Sequence, residues 1–390
     1  MATVFLNRNK EQRVFGGHPW VFRSDIARVE GEAPEGCVVR VASDRGVFLA
    51  MAVYNPRSQI ALRILSRKEE PIDGAFIRGR VKRALDYRRT FADLRSCRLL
   101  FAESDGLPAV IADAFGDVIV LQSLCLGMEA FKQDIVDALV EELHPMGIYE
   151  RNDVPVRTLE GMEQQTGLLY GTVPGRVEMV ENGVRFWVDV KEGQKTGFFL
   201  DQKENRASLA PFAKNARVLD CFTHTGSFAL HAARFGAAEV TGVDVSEAAC
   251  QFATENAALN GFEDRVRFEC ANAFDFLRQA QNRHEQYDLV VLDPPAFTKT
   301  RAAVPGALRG YKEINLRGMK LVRDGGYLVS CSCSHHVLPP MFLQMLCDAQ
   351  KDARVQLRQV EMRTQGRDHP ILPAAPETQY LKCGIFQVFR

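Results

Sequence analysis

The fold of this chain is decided by the stretch Val218-Leu-Asp220-Cys-Phe222-Thr223-His-Thr-Gly226-Ser-Phe228. Apolar residues that end in an acid predict a buried strand, and the glycine-containing turn predicts the start of a helix. In open α/β sheets, ligands bind at this carboxyl edge of the strands. The turn lacks the three glycines of a GxGxxG motif, so a dinucleotide pyrophosphate is not the expected ligand.

Strand-like and helix-like segments alternate from about residue 216 onward, and this stretch contains the first strand and the start of the first helix. The predicted strands are RVLDCF, EVTGVDV, RVRFECA, DLVVLDPP and GGYLVSCSCS, and the predicted helices cover 226–235, 247–260, 273–283 and 311–323. Alternation of this kind predicts an α/β fold with a doubly wound, Rossmann-like parallel sheet and helices on both faces.

The front half has a different pattern. Short apolar segments separated by turn residues (VVRVAS, VFLAMAVYN, IALRILS) predict a small β-barrel-like domain over residues 1–72. A basic amphipathic helix follows between residues 72 and 95, with six arginines and a lysine from Arg78 to Arg95. Further strands and a helix near 129–143 predict a middle α+β domain over 73–187, which leaves 188–390 for the α/β domain.

Composition narrows the class of protein. Hydrophobic residues make up 46% and charged residues 25% of the 390 residues, which is typical of an ordered protein with two or three domains. The sequence shows neither a secretory signal nor an apolar stretch of about 18 residues, so we expect a cytoplasmic protein without a membrane partner. None of the ten cysteines forms a CxxC pair, so we expect no disulfide framework and no metal site.

Charge is distributed unevenly along the chain. Residues 1–100 hold 19 Lys/Arg against 11 Asp/Glu, although the whole chain has a net charge of zero. This excess indicates a polyanionic partner, although a solvated basic surface would give the same count.

Two further strand ends carry acids. Asp244 follows the second strand, 24 residues after Asp220, close to the spacing of about 20 at which an acid binds ribose hydroxyls. The fourth strand ends in Asp293-Pro294-Pro295-Ala-Phe297, where two prolines fix the backbone beside an acid and an aromatic ring. Loops of this type hold the target base in nucleic-acid methyltransferases. An acid at a strand end can also be a helix cap, and two prolines can simply end a strand.

The chain resembles class I methyltransferases and, more closely, the bacterial large-subunit rRNA cytosine-5 methyltransferases that carry an N-terminal PUA domain. The resemblance covers the whole chain and is carried by the strand-end motifs and by Gly17-His-Pro-Trp-Val-Phe22, Lys195-Thr-Gly-Phe-Phe-Leu-Asp-Gln202, Ser330-Cys-Ser-Cys-Ser334, Asp368-His-Pro-Ile371 and Tyr380-Leu-Lys382. It implies an N-terminal PUA domain and a middle domain that faces RNA, with the catalytic domain behind them.

The resemblance also implies S-adenosylmethionine as cofactor. The residues expected around it are Lys195, Thr196, Phe198, Gln202, Asp220, Phe222, Thr223, Gly226, Asp244, Val245, Asn272, Ala273 and Asp293. Asp220 would suit the cationic amino end and Asp244 the ribose. Many such enzymes place an acid beside the adenine amino group where this chain has Asn272, whose carbonyl oxygen can still accept that hydrogen bond.

Transfer of a methyl group to C5 of cytosine requires a nucleophile, because C5 attacks a sulfonium methyl only after a thiolate has added to C6. Cys331 and Cys333 lie two positions apart on the fifth strand, and both their position and the resemblance favour Cys333 as the catalytic nucleophile. Asp293 would orient the base as the second catalytic group. A buried structural cysteine is the alternative for either one.

The expected partner is rRNA of the large subunit, and a homodimer is compatible with the sequence. For substrate binding we expect Pro294, Pro295 and Phe297 at the base, and Trp20, Arg78 and Arg83 in the front half. Two alternatives remain open, a methyltransferase for a base nitrogen and a non-catalytic ribosome assembly factor. A nicotinamide oxidoreductase would need the glycine-rich turn that is missing.

Overall fold

The computed structural model describes all residues, 1–390. The chain divides into two compact units. The first contains Met1–Met179, Val188–Leu200 and Arg367–Thr378, and the second contains Val180–Trp187, Asp201–Gly366 and Gln379–Arg390. No helix combines the length and the apolarity needed to cross a membrane.

The first unit begins with the elements β1 (Thr3–Leu6), α1 (Glu11–Phe15), β2 (Trp20–Val21), β3 (Ile26–Glu30), β4 (Val38–Ala42), β5 (Phe48–Tyr54) and β6 (Leu62–Ser66). The six strands form one sheet in the order β2-β6-β5-β4-β1-β3. The three strands predicted from apolar segments are β4, β5 and β6, and that prediction is confirmed. Their buried side chains, such as Val39, Ala52 and Leu62, form one core.

The first unit continues with the elements α2 (Gly74–Arg89), β7 (Ser96–Phe101), β8 (Val110–Phe115), β9 (Val118–Ser123), α3 (Leu126–Glu129), α4 (Lys132–Leu143), β10 (Gly147–Arg151), α5 (Val156–Leu159) and β11 (Thr166–Gly171). Their five strands form a second sheet in the order β11-β10-β9-β8-β7. The predicted basic helix is α2, which buries Ile77, Val81 and Leu85 in this core. It begins at Gly74 because the Asp73 side chain accepts a hydrogen bond from the Phe76 N–H.

A hairpin of β12 (Arg176–Glu181) and β13 (Val184–Asp189) leads to the second unit. After the hairpin, the second unit contains the elements α6 (Lys203–Ala207), α7 (Ala210–Ala213), β14 (Arg217–Cys221), α8 (Ser227–Arg234), β15 (Glu239–Asp244), α9 (Glu247–Leu259), β16 (Val266–Cys270), α10 (Ala273–Asn282), β17 (Tyr287–Leu292), α11 (Val304–Leu321), β18 (Val322–Ser332), α12 (Pro339–Ala353), β19 (Gln356–Arg363) and β20 (Lys382–Phe389). The predicted boundary between residues 72 and 73 lies between β6 and α2, and that between 187 and 188 lies within β13. The division into three domains stays a prediction.

The seven-stranded sheet has the order β16-β15-β14-β17-β18-β20-β19. The five predicted strands pair in parallel, so the predicted doubly wound α/β fold is confirmed. β14 lies between β15 and β17, which makes its carboxyl end the point where the strand order reverses and a ligand crevice forms. Helix α12 and the antiparallel strands β19 and β20 were not predicted from the sequence. Helix α11 begins at Val304 and not at 311, because Pro305 is tolerated in a first helical turn.

Candidate active site

Asp220 lies fully buried in β14, one residue before the strand ends. Its Oδ2 accepts hydrogen bonds from Thr223 Oγ1 (2.6 Å) and from the Ala229 N–H (3.0 Å), whereas its buried Oδ1 has no hydrogen-bond partner within the protein. Burial, and after it the charges of Asp293 and Asp244, raise the pKa of Asp220 to about 7 against the Thr223 hydrogen bond. A buried carboxylate oxygen with unused capacity fits the ammonium group of a methionine moiety.

The turn after β14 is held in an unusual backbone conformation. Phe222 and His224 have positive φ angles of 66° and 52°, which are uncommon for residues other than glycine and are typical of functional sites. The Phe222 and Thr223 N–H groups both donate to the Val243 carbonyl oxygen, at 2.8 and 3.0 Å. Gly226 also has a positive φ (84°), and a Cβ there would lie 2.8 Å from the Phe268 ring, so local packing alone requires a glycine.

Asp244 connects this turn to the end of β15. Its Oδ2 accepts from the His224 N–H at 2.9 Å, and its Oδ1 accepts from the Ser246 N–H at 3.0 Å. Each carboxylate oxygen keeps a second lone pair, which a ribose hydroxyl could use. The next residue, Val245, is 72% exposed, so an apolar side chain is available beside the acid.

Asn272 is the N-cap residue of α10, which begins at Ala273. Two residues before Asn272, Cys270 at the end of β16 pairs in register with Asp244 at the end of β15. The Asn272 side chain caps the helix by accepting from the Phe274 N–H at 2.9 Å. This cap gives Asn272 a structural role in addition to the expected cofactor contact. Its oxygen can accept one more hydrogen bond, and the adenine contact stays a prediction.

Asp293 follows β17 and is oriented by a chain of hydrogen bonds. Gln202 Nε2 donates to Asp293 Oδ1 at 2.9 Å, and Gln202 Oε1 accepts from Asn205 Nδ2 at 2.6 Å. Arg363 Nε donates to Asn205 Oδ1 at 3.0 Å. Gln202, expected at the cofactor, is thus a direct partner of the expected catalytic acid.

The Pro-Pro segment after Asp293 directs an aromatic ring toward the same region. Pro294 is buried and Pro295 is exposed. The Phe297 ring packs on Tyr311, with centroids 4.5 Å apart, and approaches the Phe222 ring at 6.4 Å. The loop therefore places Phe297 near the turn after β14, where a stacked base could be held.

The two candidate cysteines differ sharply in environment. Cys331 is fully buried, is paired across strands with Cys383, and has its pKa raised well above the ordinary value by burial. Cys333 follows the last residue of β18, is partly exposed, and has its Sγ 3.8 Å from the Pro294 carbonyl oxygen. Only Cys333 combines access for a substrate with a position against the loop that follows Asp293.

Lys382, at the start of β20, was named from the sequence only as part of a resemblance. Its buried Nζ donates to the carbonyl oxygens of Ser334 and Tyr380, both at 2.8 Å. Burial lowers the pKa of Lys382 to about 8, and this effect outweighs that of the nearby Cys333, which acts in the opposite direction. A lone lysine in the apolar stretch LKCGIFQVF was the available signal, because a buried lysine requires a reason.

The remaining predicted residues lie in the first unit. Thr196 Oγ1 donates to Asp113 Oδ2 at 2.7 Å, Phe198 is buried, and Lys195 has a positive φ of 55°. Their roles at the cofactor stay predictions.

Two of the predicted RNA contacts are engaged within that unit. Trp20 Nε1 donates to Glu103 at 2.8 Å, and the indole ring contacts the His18 ring, with centroids 5.6 Å apart. Arg78 forms an ion pair with Asp134 at 2.8 Å, whereas Arg83 has no carboxylate partner. No cluster of three or more His, Cys, Asp or Glu side chains is arranged to hold a metal ion.

Known families match both halves of the chain. The pattern of a PUA-like domain matches residues 4–67, and that of the S-adenosylmethionine-dependent methyltransferases matches residues 163–382. The chain is 41% identical over 389 residues to ribosomal RNA large subunit methyltransferase I of Tolumonas auensis, covering 98% of both chains. It is 41% identical over 388 residues to the protein of that name from Vibrio parahaemolyticus, again covering 98% of both.

Solved structures share the fold at lower identity. A candidate S-adenosylmethionine-dependent methyltransferase from Streptococcus mutans is 20% identical, with a TM-score of 0.84 over 99% of this chain and 100% of that one. A candidate methyltransferase solved with S-adenosylhomocysteine is 21% identical, with a TM-score of 0.85 over the same shares of both chains. The sequence relatives and the family match show that this chain belongs to the S-adenosylmethionine-dependent methyltransferases, within them to the ribosomal RNA large subunit methyltransferase I family, and that its cofactor is S-adenosylmethionine.

Proposed function

We propose that this protein methylates C5 of a cytosine in large-subunit rRNA, through a transient bond between Cys333 Sγ and C6 of the base. One observation carries the proposal. Of the two cysteines at the end of β18, Cys333 is the accessible one and lies against the loop that follows Asp293. The names of the relatives support rRNA as the substrate, and the cytoplasm is then the place where the protein meets it.

The residues of the chain divide the chemistry between them. The Cys333 thiolate adds to C6, which places electron density on C5, and the bound cofactor supplies the methyl group on a sulfonium. Asp293, held by Gln202, hydrogen-bonds the amino or ring-nitrogen edge of the base and stabilises the adduct. The C5 proton then passes to water, its electron pair forms the C5–C6 double bond, and the C6–S bond breaks to release the Cys333 thiolate. Phe297 and the two prolines support the flipped base.

The cofactor is assigned to the edge where β14 and β15 end. Asp220 binds the ammonium group through its unused Oδ1, and Asp244 binds the ribose. Val245 and the start of α10 at Asn272 contact the adenine. We also assign Lys195, Thr196 and Phe198 to cofactor binding, on the basis of the resemblance alone.

The proposal is tested by nucleoside mass spectrometry of 23S rRNA incubated with methyl-labelled cofactor and the purified protein. We expect the label in 5-methylcytidine. Label on a purine nitrogen would contradict the cytosine assignment and support a base-nitrogen methyltransferase. Cofactor binding without any labelled nucleoside, on free rRNA and on ribosomal subunits alike, would support an assembly factor.

Lys382 is expected to act on Cys333 as a positioning residue. Its ammonium group favours the thiolate, and the buried hydroxyl of Tyr311 is another ionisable group close to Cys333. Lys382→Met keeps the length of the side chain but removes the charge, so we expect the pKa of Cys333 to rise. The rising limb of the pH–rate profile should move up by about one unit, with a roughly 10-fold lower rate below it.

The control is Lys312→Met, because Lys312 is exposed and paired with Asp352 at 2.6 Å. Both variants should bind S-adenosylhomocysteine as the wild type does. A pH–rate profile of Lys382→Met that coincides with the wild-type profile would rule out this role for the lysine.

A further inference from the structure

A groove in the first unit carries positive charge that the protein itself does not neutralise. A cavity of about 530 Å³ lies beside helix α2, and a second cavity of about 470 Å³ continues it. Both are lined by Ser66, Arg67, Arg80 and Arg83. We call the two together the α2 groove.

The basic side chains of α2 fall into two groups. Most are paired with acids, in the ion pairs Arg78–Asp134, Lys82–Asp86, Lys82–Glu142, Arg88–Asp105, Arg89–Asp86 and Arg89–Glu142. Arg80 and Arg83 have no carboxylate partner, and they are the two that line the groove. The paired side chains therefore serve the fold, and the unpaired ones are available to an external anion.

The three arginines of the groove make polar contacts only with backbone carbonyl oxygens. Arg67 Nη2 donates to His18 O at 3.5 Å, Arg80 Nη2 to Leu65 O at 2.8 Å, and Arg83 Nε to Gly79 O at 3.4 Å. The Nε of Arg80 is buried without a hydrogen-bond partner. Burial and the neighbouring charge of Arg83 lower the pKa of Arg80, and the charge of Glu70 opposes this shift only in part. An anion at this position would relieve the remaining repulsion between the two guanidinium groups.

The acids along the groove are mostly engaged elsewhere. Glu103 Oε1 accepts from Trp20 Nε1 and from Arg63 at 2.9 Å, and Asp105 holds both Nη atoms of the buried Arg88. Glu70 is the remaining acid, and it accepts a short hydrogen bond from Ser66. The groove therefore keeps an excess of positive charge from Arg67, Arg80 and Arg83, with Lys68 at its edge.

We propose that the α2 groove binds the phosphodiester backbone of an RNA strand. Guanidinium groups match phosphate geometry through paired N–H donors, and contacts of this kind give affinity without reading sequence. The exposed ring of Tyr87 and the Phe76 ring, which lies 4.8 Å from the Arg80 Cζ, offer stacking surfaces beside the charges. The inference rests on the proposed RNA substrate but not on which base is methylated.

The test compares two double variants of the same helix. Arg80→Ala/Arg83→Ala removes the unpaired charges, and Lys82→Ala/Arg89→Ala removes the same number of paired ones. Binding of a fluorescein-labelled single-stranded oligoribonucleotide is followed by anisotropy at several salt concentrations. For the groove variant we expect a Kd at least about 10-fold higher and a slope of log K against log salt that is less steep by about one or more.

The paired-charge variant should stay within about twofold of the wild type, since Lys82 and Arg89 already have carboxylate partners in the protein. Both should bind S-adenosylhomocysteine with wild-type affinity. If the groove double variant does not fold, Arg83→Ala alone, at an exposed position, should still reduce the salt slope.

Equal losses in both double variants, or a groove variant that binds RNA like the wild type, would refute the assignment. The result is separable from the proposed reaction. Failure to find 5-methylcytidine would leave the binding difference intact, and loss of the binding difference would leave the methylated base unchanged.

Discussion

Cys333→Ala is expected to reduce methyl transfer to RNA by a factor on the order of 10⁴ or more, because no other group can open the path through C6. Affinity for S-adenosylhomocysteine should be unchanged, since Cys333 is assigned to the base and not to the cofactor. The measurement is labelled methyl incorporation into 23S rRNA under single-turnover conditions. An RNA that carries 5-fluorocytidine should give a denaturant-resistant protein–RNA adduct with the wild type, because C5 then has no proton to lose.

The matched control is Cys331→Ala, two residues earlier. Its thiol is fully buried, so the substitution should cost stability, about 1 kcal/mol, while the folded enzyme keeps its activity. Loss of the covalent adduct in Cys331→Ala but not in Cys333→Ala would exchange the roles of the two residues. Full activity of both variants would exclude a cysteine nucleophile and favour methylation of a base nitrogen.

Asp220→Asn is expected to raise the Kd for S-adenosylhomocysteine on the order of 10- to 100-fold. The amide can still accept from Thr223 and Ala229, but it no longer offers a charge to the ammonium group, and a hydrogen bond to a charged group contributes about 1.5–3 kcal/mol. Isothermal titration calorimetry measures the loss directly. Asp264→Asn is the control, because that carboxylate is 74% exposed and should not affect binding. Equal affinities of Asp220→Asn and the wild type would place the ammonium group elsewhere.

Because its pKa is raised, Asp220 should make both the stability of the fold and the stabilisation by bound ligand depend on pH. Its pKa is about 7 in the folded protein against an ordinary value of 3.8, so the folded state holds the proton more tightly than the unfolded state. The stability that this group contributes is complete below about pH 4 and is lost as the pH rises through 7. A bound ammonium group favours the carboxylate, so the rise in Tm caused by S-adenosylhomocysteine should be larger at pH 8 than at pH 6. In Asp220→Asn this difference should disappear.

Several features of the site could be predicted from the local sequence. Asp220, Asp244 and Asp293 each end a predicted parallel strand, and parallel strands joined by helices bring their carboxyl ends to one edge of the sheet. Helices α8, α9 and α10 were predicted to within a residue or two, because their apolar residues recur at helical spacing. The family motifs predicted S-adenosylmethionine as the cofactor, and the match to the methyltransferase family confirms this prediction.

Other features depend on residues that are distant in sequence. Strand β20 pairs with β18 from about 50 residues away, and this pairing buries Cys331 against Cys383 and brings Lys382 beside Ser332. The segment Asp368-His-Pro-Ile371 lies in the first unit, where Asp368 Oδ2 accepts from the Arg98 N–H at 2.9 Å. No local pattern predicts such contacts, since they join segments that periodicity treats separately.

By itself, the sequence therefore determined the α/β sheet, the edge that carries the site and the acids along it, because alternation and strand-end residues are local properties. Only the tertiary structure decided which of the two cysteines a substrate can reach and which basic side chains of α2 lack an acid partner. It buried Cys331 and left Cys333 accessible, and it paired Arg78 with Asp134 while Arg80 and Arg83 kept no acid partner. The physical reason is that burial and ion pairing depend on which distant side chains the fold brings within a few ångströms, and neither is encoded in the spacing of a motif.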